Sequence, residues 1–96
     1  MNRDDVLRIL AEQKPQWVAR YGLTKLGIFG SVARNEARPG SDDDVVTQTP
    51  VTDIFQLVAL REEMISLLGA EVDLVTDHAH LRAYFMDRLQ REAVYV

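Results

Sequence analysis

The chain has no cysteine, so it can build neither a disulfide framework nor a thiolate metal centre, which suits a reducing compartment. It is also short of positive charge. Eleven Lys and Arg against fifteen Asp and Glu leave a net charge of −4, which argues against broad binding to a nucleic-acid backbone, since that normally needs a basic face. No apolar run approaches the roughly eighteen residues that span a bilayer, and the opening Met1-Asn2-Arg3-Asp4-Asp5 lacks the apolar centre of a signal peptide. These absences point to the cytoplasm, with no membrane partner and no direct nucleic-acid binding. Internal repeats, low-complexity stretches and linkers are missing as well, so the chain reads as one domain over residues 1–96.

What is present suits a compact fold. An apolar share of 47% and a charged share of 27% are ordinary for a globular protein, and 96 residues allow one core of modest depth without a second substrate-binding domain. Asn2 can cap a first helix carrying Val6, Leu7, Leu10 and Ala11 on one face. Pro15 suits the first turn of a second short helix, or a kink in one helix, with Trp17 in the core and Gly22 as the left-handed cap. Leu23 to Phe29 alternates as a strand, and Ser31 to Ala37 is compatible with a short helix that Asn35 can close in the left-handed conformation. A second strand is expected from about Asp42 to Gln48. Asp53 with Gln56 resembles a capping box ahead of a helix whose stripe Ile54, Leu57, Val58, Ile65 and Leu68 should be buried, closed by Gly69. Glu71 to Thr76 reads as a third strand. Asp77 can then cap a last helix with Leu81, Tyr84, Phe85 and Leu89 inward, before Val94-Tyr95-Val96.

The chemistry concentrates in two places. A strand that runs into Gly30-Ser31 and a helix start points backbone N–H groups outward, an arrangement that favours anions, and Arg34 can contact phosphate oxygens from the same side. After ten intervening residues beyond Ser31, Asp42 and Asp44 alternate on a strand and share one face. Two carboxylates held together repel unless a cation sits between them, and Mg²⁺ takes hard oxygen ligands. Asp73, set between Val72 and Leu74, is costly in mid-strand if buried and unpaired. If its strand lies beside the second, it joins Asp42 and Asp44 as ligand or as a base for a hydroxyl. His78 and His80 lack a third ligand and read as surface residues rather than a zinc pair.

With Gly30-Ser31, Asp42-x-Asp44 and Asp73 in place, the chain resembles the DNA polymerase β-like nucleotidyltransferase superfamily. The fuller string from Gly30 to Asp44, with Glu71-Val72-Asp73-Leu74-Val75, is similar to its small prokaryotic branch, the minimal nucleotidyltransferases. The resemblance runs from about Leu23 to Glu92-Ala93. It implies an α+β fold with a small mixed sheet of three or more strands flanked by helices. It also implies two Mg²⁺ ions on Asp42, Asp44 and Asp73, ATP as nucleotide donor, and Gly30, Ser31 and Arg34 around the triphosphate. Members of the branch are typically antitoxins of HEPN-domain ribonuclease toxins, and some modify a toxin tyrosine with AMP. The implied partner is therefore a cognate HEPN toxin in a hetero-oligomer, and an antitoxin that acts by binding alone is the alternative. Two residues depart from the family pattern. Asp43 stands where an apolar residue is usual, pointing away from Asp42 and Asp44, and should destabilise the strand unless it finds solvent or an Arg. Asn35 replaces a frequent Gly.

Overall fold

The computed structural model describes residues 2–38, 40, 43–49, 53–76 and 83–96, with the side chains of 83–86 left aside. Asp42, Asp77, His78, His80 and Leu81, and the side chains of Tyr84 and Phe85, thus lie outside the described structure.

The first helix, α1 (Arg3–Tyr21), starts where Asn2 Oδ1 accepts the Asp5 N–H at 2.8 Å and ends at Gly22 in the left-handed region. It does not break at Pro15. Proline removes one i→i−4 hydrogen bond, yet Val6, Leu10, Trp17 and Tyr21 lie on one face at helical spacing across it, and their burial keeps the segment continuous. Trp17 is a core residue, as expected.

Strand β1 (Lys25–Phe29) leads into the four-residue α2 (Gly30–Ala33), shorter than the expected helix to Ala37. Asn35 takes φ 60°, and its side-chain oxygen accepts the Arg3 N–H at 3.2 Å, so this departure from glycine ties the turn to the start of α1. Then come β2 (Asp43–Gln48), α3 (Ile54–Leu68), β3 (Val72–Thr76), α4 (Ala83–Glu92) and β4 (Val94–Tyr95).

The four strands form one mixed sheet in the order β3-β2-β1-β4. β1 runs antiparallel to both β2 and β4, while β2 and β3 are parallel, joined through α3 as a crossover requires. Successive side chains alternate between the two faces. Leu26, Ile28, Val45 and Val72 face α1 and α3, where Val6, Leu10, Trp17, Leu60, Met64 and Leu68 complete the main core. Phe29 and Val46 face the other way, against Leu89 of α4, with Val75 and Ala93 at the margin. The terminal Val94-Tyr95 is thus an edge strand of its own domain.

The buried stripe of α3 differs from expectation. Leu60, Met64 and Leu68 are buried, whereas Ile54 is 65% and Phe55 81% exposed, and Val58 is exposed too. The helix is apolar on more than one side, so its sequence alone does not fix which side turns inward. Asp53 caps α3 as expected, but through Phe55 rather than a box with Gln56: its Oδ1 accepts the Phe55 N–H at 2.9 Å, while the Gln56 N–H donates to the Asp53 carbonyl at 3.1 Å. Away from the sheet, Glu63 joins α3 to α1 by accepting from Arg20 Nη1 and from the Tyr21 hydroxyl, both at 2.7 Å.

Candidate active site

The parity of β2 decides which carboxylates meet. Val45 faces the α1/α3 core and Val46 the α4 side, so Asp44 shares the face of Val46 while Asp43 points into the core with Val45. On β3, Asp73 shares the face of Val75. Asp44 and Asp73 are in-register partners on parallel strands, which places their Cα atoms about 4.8 Å apart, side chains on one face. Like charges directly opposite each other in a sheet are destabilising. A cation beside the pair would offset that repulsion, and adjacent carboxylate oxygens are hard donors of the kind Mg²⁺ takes. Asp73 is exposed rather than buried, because β3 is the edge of the sheet, so the burial cost expected for it does not arise. Asp42, the third expected carboxylate, lies outside the described residues. Among the described residues no group of three or more acidic, His or Cys side chains is gathered for a metal.

Gly30 sits against Asp44. It takes φ +68°, and a Cβ built on it would collide with Asp44 Oδ2 and come within 3.2 Å of Cγ. Glycine is required twice over, by the left-handed turn and by the carboxylate beside it. The antiparallel pairing of Phe29 with Asp44 brings the two together, so the end of β1 delivers the Gly30-Ser31 turn to the end of β2 that carries the aspartates. In α2 the first N–H groups have no acceptor within the helix, as at any helix start. Ser31, half-buried, follows at once.

Arg34 caps α2 and is exposed. Its Nε donates to Glu36 Oε2 at 3.1 Å, and its Nη1 lies 3.5 Å from Glu92 Oε2 at the end of α4. Arg88 Nη2 reaches the same Glu92 oxygen at 3.4 Å. Neither Arg88 nor Glu92 stood out in the sequence. Their i, i+4 spacing marks only an ordinary helix pair, and what gives it interest, the approach of Arg34, is a tertiary contact.

Asp43, the discordant residue, is 6% exposed and engaged by a partner. Among the described residues no buried side-chain oxygen or nitrogen lacks a hydrogen-bond partner. Its N–H also donates to the Glu71 carbonyl at 2.8 Å, and β2 keeps register with both neighbours through this position. The strand accommodates the extra charge without losing its pairing.

The nucleotidyltransferase domain family matches residues 7–96. The chain belongs to that family. Among this nucleotidyltransferase's relatives is the protein adenylyltransferase MntA of Thermococcus cleftensis, 32% identical over 94 residues, which cover 97% of this chain and 94% of the relative. A solved structure described as a candidate minimal nucleotidyltransferase superposes with a TM-score of 0.79 at 32% identity, covering 98% of this chain and 95% of the other. The fold is therefore the minimal nucleotidyltransferase fold, α+β with a mixed sheet between helices. The same fold occurs in the MNT antitoxin complex with a tri-AMPylated HEPN toxin from Shewanella oneidensis, with a TM-score of 0.59, 19% identity, and coverage of 98% of this chain and 67% of that one. Among the described residues no helix of this nucleotidyltransferase is long and apolar enough to cross a membrane.

Proposed function

We propose that this nucleotidyltransferase is the antitoxin of a HEPN ribonuclease toxin and silences it by transferring AMP from ATP to a toxin hydroxyl, that of a tyrosine. The observation that carries this reading is the in-register pair Asp44 and Asp73 beside the Gly30-Ser31 turn. A triphosphate grip and a cation-holding pair side by side are what phosphoryl chemistry on a nucleotide needs. The adenylyltransferase relative and the complex with an AMPylated HEPN toxin support the choice of AMP and of acceptor protein.

In this reading Asp42, Asp44 and Asp73 hold two Mg²⁺ ions, which when bound offset the triphosphate charge and polarise the α-phosphate. Ser31 and the N–H groups of the Gly30 turn orient the triphosphate, with Arg34 turning from its carboxylate partners to phosphate oxygens. Asp73, at the open sheet edge, is accessible to an acceptor presented by another protein and takes the proton of its hydroxyl. The hydroxyl oxygen bonds to the α-phosphorus, the bond from that phosphorus to the bridging oxygen of the β-phosphate breaks, and pyrophosphate leaves with the electron pair. In this reading the toxin presents its own acceptor surface to the open edge of the sheet.

The competing reading, neutralisation by binding alone, rests on Asp43. Asp43 projects to the face opposite Asp44 and β2 keeps its register there, which supports the catalytic reading over that one. The test is incubation with labelled ATP, Mg²⁺ and the toxin encoded beside this chain. Label on the toxin that is lost with Asp44→Asn is the expected result. Neutralisation by Asp44→Asn with no label transferred by either protein would favour binding alone.

A further inference from the structure

Two guanidiniums converge on one oxygen atom beside the Gly30-Ser31 turn. Glu92 Oε2 lies 3.5 Å from Arg34 Nη1 and 3.4 Å from Arg88 Nη2. The three side chains come from different places in the chain, Arg34 just after α2 and the other two from the last turns of α4. α4 packs on the sheet face that carries Asp44 and Asp73, through Leu89 against Phe29 and Val46. Because β4 leaves α4 and pairs antiparallel with β1, Val94 lies opposite Ile28, which brings Glu92 to the end of β1 where Gly30 begins. Glu92, at 30% side-chain exposure, sits further in than either arginine. An oxygen anion held between two guanidinium forks is also how proteins hold a phosphate oxygen.

We infer that Arg34 and Arg88 together form a polyphosphate subsite in which Glu92 Oε2 stands in for a phosphate oxygen while no nucleotide is bound. This rests on the proposed nucleotide chemistry and adds to it a specific residue, Arg88, and a self-competing carboxylate, Glu92. The contacts at 3.4–3.5 Å are long for charge-assisted bonds and partly exposed, so an entering triphosphate with several oxygens displaces the single carboxylate at little cost. Arg88 then contacts the tail of the nucleotide, remote from the reacting α-phosphorus, and acts as a binding residue.

The experiment is calorimetric titration of the whole protein with Mg²⁺ and a non-hydrolysable ATP analogue, and in parallel with AMP. Arg88→Ala is expected to weaken binding of the analogue about tenfold and to leave AMP unchanged, since AMP has no tail to reach the subsite. Arg88→Lys should restore part of the loss. Glu92→Gln is expected to tighten binding of the analogue about two- to fivefold by removing the charge the two arginines share, Arg34 keeping only its contact with Glu36. Equal loss for AMP and the analogue in Arg88→Ala would mean a structural role and would overturn the inference, as would weaker binding in Glu92→Gln with the thermal transition unchanged. If the unmodified protein binds the analogue and Arg88→Ala binds it equally well, only this inference falls. If the unmodified protein binds no nucleotide, the proposed function falls with it.

Discussion

Gly30→Ala separates backbone strain from damage to the site, because the chain carries a built-in control. Gly30 and Gly69 share φ +68°, but a Cβ on Gly69 meets nothing within 4 Å, whereas one on Gly30 runs into Asp44. An alanine held in the left-handed region costs about 1–2 kcal/mol. Gly69→Ala should therefore lose that amount in urea unfolding and keep full transfer activity. Gly30→Ala pays the same strain and must also turn Asp44 away. Rotation relieves Oδ2, but Cγ at 3.2 Å stays tight, so Asp44 is pushed off its rotamer at a further cost of about 0.5–1.5 kcal/mol. Its effect on catalysis should be far larger than its effect on stability, since the displaced carboxylate no longer stands beside Asp73. In an Asp44→Ala background both tight contacts are gone and the Cβ at 3.6 Å is an ordinary one, so Gly30→Ala should then cost no more than Gly69→Ala. The double-mutant cycle reads the difference directly. Equal stability losses for Gly30→Ala and Gly69→Ala, with transfer retained in both, would refute the placement of Asp44 against the turn.

Three further outcomes follow from the geometry. Asp43→Asn should leave AMP transfer unchanged while Asp44→Asn abolishes it, because the two side chains project to opposite faces of β2; a matched loss of transfer in both would contradict the alternation. Tyr21 should titrate above its ordinary 10.0, raised first by burial and then by donating to Glu63, so the stability it confers is fully present below pH 10 and is lost as pH rises through the folded-state value. Tyr21→Phe should cost about 1–2 kcal/mol near pH 8, and the gap to the unmodified protein in urea titrations should close at strongly alkaline pH rather than widen. Pro15→Ala restores a donor inside a continuous helix at an exposed position, and should stabilise the protein by up to about 3 kcal/mol in thermal unfolding; a loss would show that the helix needs its proline geometry.

The parts of the fold that were legible in the sequence are those fixed by local rules. Asn2, Gly22, Asp53 and Gly69 mark helix ends through their own backbone and side-chain chemistry, and they mark them in the structure. The period-two alternation of β2 separates Asp43 from Asp44 for the same reason. What was not legible depends on tertiary context. The orientation of α3 is ambiguous in a helix apolar on several sides, and packing on the sheet selects Leu60, Met64 and Leu68. The exposure of Asp73 follows from the position of β3 at the sheet edge, which strand order decides and local pattern does not. Pro15 is overruled by the burial of residues on both sides of it. The link from Arg34 to Glu92 spans 58 positions and has no signature in either segment. For the candidate site, the Gly30 turn and Asp44 were readable as a unit, and the register of β3 brings Asp73 beside them.

AMP transfer to a partner protein through Asp44 and Asp73 is what we propose for this chain. Intact-mass spectrometry of the HEPN toxin after co-expression with this chain, or with Asp44→Asn or Asp73→Asn, tests it most directly. Mass increments of whole AMP groups on the toxin, present with the unmodified chain and absent with both variants, are expected. A toxin of unmodified mass that is nonetheless silenced by all three proteins would contradict the account.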